Sequence, residues 1–223
     1  MSDANLQHDP LQRLVLAYAK RADRTRYALV FALDSRFAGV IRSTSETLIG
    51  QMRLTWWRDN LTKPLEARPT GEPLIALINE TEEQGSDLAP LLNLLEGWEF
   101  LLDDFPWDDR QLDQYAEKRG EGLFSFALGG DRLLTEDQKR GAQAWALWDF
   151  ARHCSDENTR KKAFQKCGNL MNALKPIVFD RSGRPLSIFC KLMQGDVKRR
   201  SLTADLYRPG IASKIVWHGV TGC

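Results

Sequence analysis

The sequence predicts an all-α protein, and three observations lead to that fold class. Apolar residues recur at helical spacing, since Leu11, Leu14, Val15 and Tyr18 stand at i, i+3, i+4 and i+7 and share one helix face. Strict alternation of apolar and polar residues never persists long enough to require a β-strand. Residue pairs typical of helix starts, and prolines and glycines typical of helix ends, recur at helix-sized intervals. We therefore expect a helical bundle without internal repeats.

The first half of the chain carries strong helix signals after that periodic segment. The stretch 27–41 is almost entirely apolar and predicts a buried helix. Ser43 and Glu46 have capping-box spacing, so a long helix is expected from there to Pro64. Shorter helices are predicted at 74–81 and 88–102. The acidic run 103–109 is expected to be a loop, because proline at 106 cannot continue a helix.

The region after this loop predicts two longer helices. The first covers about 110–128 and ends at Gly129–Gly130, since glycine is the residue most often found just beyond a helix. Thr135 and Gln138 form a second capping-box pattern, which predicts a helix that continues to about Cys154.

The C-terminal part of the chain is expected to continue the helical pattern. Ser155 or Asp156 can cap a helix that reaches Leu174 before Pro176. The segment 181–185 predicts a turn, and two last helices are expected on either side of Pro209–Gly210.

Composition limits the class of protein. The 223 residues include 31 Lys+Arg and 30 Asp+Glu, and this near balance argues against a sequence-independent nucleic-acid binder. The length suits one domain, 1–223, in which residues 1–9 are expected to be flexible. No apolar stretch is long enough to span a bilayer, and the first residues lack a signal pattern. We expect a cytoplasmic protein with reduced cysteines and no nucleic-acid partner.

Residue chemistry alone leaves several candidate sites open. The aspartates at 103–109 suit either a solvated loop or a cation site. Asp149 and Glu157, with Arg152 and His153 between them, suit either a surface network or a functional cluster. The basic segment 20–26 can meet phosphate or anionic lipid, or be a solvated helix end. Seven tryptophans can line a cavity for an apolar ligand or fill a helical core.

Three segments carry a family resemblance. The segment 49–61, IGQMRLTWWRDNL, resembles the helix of the squalene/phytoene synthase family in which a Trp-Arg pair is followed by leucine. The segment 115–124, YAEKRGEGLF, is similar to the tyrosine segment of that family, and 142–157 is similar to its second Asp-rich helix. The resemblance implies an isoprenoid-synthase-type helical bundle with a central cavity. In active members, two facing Asp-rich helices hold Mg²⁺, which binds the diphosphates of two prenyl substrates.

The chain departs from this pattern at the acidic positions. The first Asp-rich helix should correspond to 28–40, where the two aspartate positions fall near Arg36 and Val40 and only Asp34 is acidic. In the second helix, Arg152 follows the pattern, but His153 replaces the adjacent acid. These losses, together with the segments 49–58 and 115–118, resemble a divergent branch that includes the mitochondrial complex I assembly factor with a phytoene-synthase-like fold.

The resemblance therefore implies a homologue that lacks the first Asp-rich motif. We expect a non-catalytic protein that needs no cofactor and binds a lipid or protein partner in respiratory complex I assembly, in peripheral contact with the inner membrane. The alternative is an active prenyl transferase that joins two prenyl diphosphates with Mg²⁺. The pocket residues expected from the resemblance are Arg36, Trp57, Arg58, Tyr115, Asp149, Arg152 and Glu157.

Overall fold

The described residues in the first half of the computed structural model form five α-helices, and the second of them is buried at the centre. The structure describes residues 10–44, 46–130, 133–173, 177, 179–203, 213 and 215–219. The helices of this half are α1 (Pro10–Leu16), α2 (Arg24–Arg42), α3 (Thr47–Thr62), α4 (Pro73–Glu83) and α5 (Ala89–Glu99), with short 3₁₀ turns at Leu65–Ala67 and Phe100–Leu102. Residues 27–34 of α2 are all buried, as the apolar run predicts, and α2 packs against α1, α3, α4, α5 and α7.

Among its described residues, the second half continues with five helices of at least seven residues and one π-helical segment. They are α6 (Asp109–Tyr115), the π-helical segment (Ala116–Glu121), α7 (Gly122–Leu128), α8 (Glu136–His153), α9 (Glu157–Asn172) and α10 (Arg184–Arg199). A further short helix covers 215–219. The described residues contain no β-strand, which agrees with the predicted fold class. None of their helices is long and apolar enough to cross a bilayer.

Most helix ends follow the local chemistry of the sequence. Thr135 and Gln138 form the predicted capping box at the start of α8, and Asp156 accepts from Thr159 N at the start of α9. Gly129 ends α7 with φ 130°, a left-handed conformation that favours glycine. The other expectations, for a flexible start and for the C-terminal helix ends, concern residues outside the described ones: 1–9, Leu174, Pro176 and Pro209–Gly210.

One predicted capping box is wrong. Ser43 caps the C-terminus of α2, which runs one residue further than expected, and α3 starts at Thr47 after Glu46 without a side-chain cap. The reason is that the Ser43 hydroxyl is already engaged: it donates to Val40 O at 3.4 Å and accepts from Arg53 Nη1 at 3.2 Å. The single helix predicted over 110–128 is divided in the structure, because a π-helical turn separates α6 from α7.

Candidate functional site

A cavity of about 510 Å³ lies between α2, α5, the π-helical segment and α8. This volume falls within the range of small-molecule sites in proteins, roughly 300–1,000 Å³. Most of its lining is apolar and aromatic, and the polar groups of its buried end are Gln12, Asp34, Tyr115, Arg119 and Asp149. The apolar wall includes Ala38, Ile41, Trp98, Leu101, Phe105, Trp145, Trp148, Phe150 and Phe189.

Asp34 is the buried acidic group that α2 brings to this cavity. Its carboxylate forms a two-point ion pair with Arg119, Nε to Oδ1 at 3.0 Å and Nη2 to Oδ2 at 3.1 Å. Trp98 Nε1 donates to Oδ1 at 2.8 Å, and Gln12 Nε2 donates to Oδ2 at 3.2 Å. Both oxygens therefore have two donors each, as a buried carboxylate requires.

The same guanidinium reaches a second carboxylate on the facing helix. Arg119 Nη2 lies 2.7 Å from Asp149 Oδ2, and Nη1 donates to the Tyr115 hydroxyl at 2.7 Å. The guanidinium also lies over the rings of Trp98 and Trp145, whose centroids are 4.5 and 4.9 Å from Cζ. Cation–π contacts of this kind add to the ion pairs because the site is desolvated. Arg119 thus joins α2, α5 and α8 through one side chain.

Two glycines allow the backbone to bring Arg119 to this position. A Cβ at Gly97 of α5 would lie 2.6 Å from Arg119 N, and a Cβ at Gly120 would lie 2.3 Å from Ala142 O of α8. The π-helical segment therefore lies against α5 on one side and α8 on the other at distances that only glycine permits. π-helical turns of this kind frequently occur at functional sites.

Burial and neighbouring charges together determine the protonation of Arg119, Asp149 and Tyr115. Burial works against the charge of Arg119, but Asp34, Tyr115 and Asp149 raise its pKa well above its usual value. Burial also opposes the charge of Asp149, yet Arg119 and His153 together outweigh it and lower the pKa of this carboxyl. Burial raises the pKa of Tyr115, so its hydroxyl stays protonated. The bridge that Arg119 forms with Asp34 and Asp149 therefore consists of one cation between two anions.

The carboxylates present do not fit the Mg²⁺ cluster that the resemblance implies for active members. Mg²⁺ requires oxygen ligands in near-octahedral geometry, and both cavity carboxylates already bond the Arg119 guanidinium. The described part of the chain holds no group of three or more His, Cys, Asp or Glu side chains placed for a metal ion. The aspartates at 103–109 do not supply one either, since Asp108 caps α6 and Asp109 lies 3.8 Å from Lys166.

The structure also corrects the register expected for α2. Arg36 is exposed and pairs with Glu72 at 3.3 Å, and Val40 is buried away from the cavity lining. The residues of α2 that line the cavity with four-residue spacing are Asp34, Ala38 and Arg42. An α-helix presents i and i+4 on the same face, so a shift of two residues turns the predicted pair away from the cavity. The face of α2 that lines the cavity therefore carries one acidic residue, Asp34, followed four residues later by an alanine.

Two of the residues expected in the pocket line the cavity, namely Tyr115 and Asp149. The other five, Arg36, Trp57, Arg58, Arg152 and Glu157, lie outside its lining. Trp57 is buried against Phe37, and Arg58 pairs with Glu99. Arg152 donates to Thr203 O at 2.6 Å, and Glu157 pairs with Lys161 at 2.8 Å. The basic segment 20–26 is partly engaged, because Lys20 donates to Ser182 and Arg26 pairs with Asp23.

The sequence did not indicate Arg119 or Gln12 as site residues, and it indicated Trp98 only as one of seven tryptophans that can line a cavity. A signal for a partner was present, because a single aspartate in an apolar helix must find a cation or several donors when it is buried. Arg119 lies in the tyrosine segment 115–124, four residues after Tyr115, but the direction of its side chain depends on the π-helical turn. No pattern in the sequence predicts that π-helical turn.

An all-α bundle in which two facing helices carry acidic side chains into a largely apolar cavity defines the class of isoprenoid-synthase-like proteins. The family model for squalene/phytoene synthase matches residues 7–162, and the chain belongs to this family. A crystal structure of a dehydrosqualene synthase in complex with ligand superposes with a TM-score of 0.69 over 95% of this chain and 90% of that chain, at 12% identity. No curated protein matches the sequence.

Proposed function

We propose that this chain is a non-catalytic member of the squalene/phytoene synthase family that binds a lipid or a protein partner. The observation that supports this is the contact of one guanidinium with the carboxylates of both facing helices, Asp34 and Asp149. A divalent cation would have to compete with Arg119 for the same oxygens and would be repelled by its charge. Ala38 supplies no further ligand on α2.

Turnover of prenyl diphosphates tests this proposal directly. The purified chain is incubated with farnesyl or geranylgeranyl diphosphate and Mg²⁺, and released diphosphate is measured beside an active dehydrosqualene synthase. We expect release no faster than in the sample without protein, because no Mg²⁺ cluster neutralises the leaving group. Mg²⁺-dependent release would overturn the proposal and favour the alternative, a prenyl transferase.

We propose respiratory complex I assembly as the cellular role. This part of the proposal is supported by the segments 49–58 and 115–118, whose sequences resemble the divergent branch described above. Deletion of the gene is expected to lower the amount of assembled complex I on native gels. Re-expression of the chain should restore it, and normal complex I in the deletion strain would contradict the role.

A second candidate function, peripheral binding to the inner membrane from the cytoplasmic side, is favoured by the outer face of α3. This helix buries Gly50, Leu54, Trp57 and Leu61 on one side. The opposite side exposes four large apolar side chains, from 40% to 67% of their area: Leu48, Ile49, Met52 and Trp56. Exposed apolar helix faces of this kind mark interaction sites, and tryptophan favours the interface between lipid and water.

Sedimentation with liposomes tests this candidate. The double variant Leu48→Ser/Met52→Ser should pellet less with vesicles of phosphatidylcholine and an anionic lipid than the wild type does. Leu133→Ser, which removes a 96% exposed leucine outside α3, should pellet as the wild type does. Equal pelleting of all three proteins, or no pelleting of any, would contradict a membrane contact through α3.

A further inference from the structure

The buried end of the cavity is anionic on balance. Asp34 and Asp149 contribute two negative charges, and Arg119 contributes the one positive charge that lies between them. The other basic groups of the lining lie at the rim: Arg42 is exposed, and the side chain of His153 is 67% exposed. Solvent screens charges at the rim far more than charges inside. An anionic head group at the buried end would therefore meet net repulsion.

The free hydrogen-bonding capacity of this end suits an uncharged head group. Both oxygens of Asp34 are occupied, and Arg119 bonds Asp34, Tyr115 and Asp149 while it lies over the rings of Trp98 and Trp145. Asp149 binds Arg119 through Oδ2, which leaves Oδ1, 3.6 Å from His153 Nδ1, as an acceptor. The Tyr115 hydroxyl accepts from Arg119, so its proton can be donated to a ligand oxygen.

We infer that the cavity takes an uncharged amphiphile, in which an apolar chain or ring system carries one hydroxyl or carbonyl head. The head would bond Tyr115 and Asp149 at the polar end. The apolar part would lie along the aromatic wall formed by Trp98, Trp148 and Phe189, among others. The inference rests on the proposed non-catalytic function and names the chemical class of its lipid.

A series of ligands with one tail and different heads tests this inference. Dodecanol, below its solubility limit, and dodecyl phosphate and dodecyltrimethylammonium, each below its micelle concentration, are titrated into the full chain at pH 8. Tryptophan fluorescence reports binding, because Trp98, Trp145 and Trp148 line the cavity. We expect dodecanol to bind at least about tenfold more tightly than dodecyl phosphate, since like charges at short range repel in a partly desolvated site. Dodecyl phosphate or dodecyltrimethylammonium binding as tightly as dodecanol, or no binding of dodecanol, would overturn the inference.

Two variants separate a charge effect from an effect on the fold. Asp149→Asn removes one negative charge from the polar end and should reduce the preference for dodecanol over dodecyl phosphate. Asp137→Asn makes the same change at the start of the same helix, outside the cavity lining, and should leave the ratio unchanged. An unchanged ratio in folded Asp149→Asn would contradict the inference. Diphosphate release is a separate readout, so failure of the proposed function is distinguishable from failure of this inference.

Discussion

Arg119 and Asp34 form a two-point ion pair whose side chains are only 3% and 4% exposed, with N–O distances of 3.0 and 3.1 Å. The pair joins the π-helical segment to α2, and Asp149 extends it to α8. A buried pair of this kind adds little net stability when it is complete. Removing one partner is costly because it leaves an uncompensated charge in the core.

The variant Asp34→Asn tests this dependence. We expect it to lower the free energy of unfolding by about 3–5 kcal/mol, since Arg119 would lose its main counter-charge in a desolvated site. Urea denaturation measures the change. The matched variant Asp137→Asn removes a partly exposed ion-pair partner and should change the free energy of unfolding by less than about 1 kcal/mol. Equal effects of the two substitutions would contradict a central role for the bridge.

The lowered pKa of Asp149 predicts a specific pH dependence of stability. A carboxyl whose pKa is lower in the folded state stabilises the fold above its unfolded pKa, about 3.9. This contribution is lost as the pH falls through the folded pKa. The difference in unfolding free energy between the wild type and Asp149→Asn should therefore stay constant from pH 7 to about pH 5 and shrink below about pH 4. A difference that grows on acidification would be the opposite of this expectation.

The sequence could predict the helices more completely than the site. Helix positions follow from local signals, such as the apolar run in α2 and the capping box of Thr135 and Gln138, and the structure confirms them. Asp149 was a candidate from the sequence, but its partner Arg119 was not. The direction of Arg119 depends on a π-helical turn and on two close helix contacts at Gly97 and Gly120. Such features arise from tertiary packing, which local periodicity does not record.

The close contact at Gly97 gives a test of that packing. Gly97→Ala would place a methyl group 2.6 Å from Arg119 N, and we expect a loss of about 1–3 kcal/mol of unfolding free energy from the backbone shift. Gly39→Ala is the control, because a Cβ there meets no atom within 4 Å and Gly39 also lies inside a helix. It should be neutral or stabilising by up to about 1 kcal/mol. Similar losses in both variants would mean that the contact between α5 and the π-helical segment is not tight.

If the Arg119 guanidinium excludes metal ions from the two carboxylates, its removal should expose a cation site. Arg119→Met keeps an unbranched side chain and leaves Asp34 and Asp149 facing each other without a counter-charge. We expect this variant to be less stable than the wild type, and its thermal midpoint to rise when Mg²⁺ or Mn²⁺ is added at millimolar concentration.

The wild type and the variant Arg36→Met, which removes an exposed arginine outside the cavity lining, should show no such rise. Calorimetric titration with Mn²⁺ provides a second measurement if the midpoints are hard to compare. Arg119→Lys should also fail to respond, because its ammonium still repels a divalent ion from the same oxygens. An equal response of Arg119→Met and Arg36→Met would mean that the guanidinium does not control access of cations to Asp34 and Asp149.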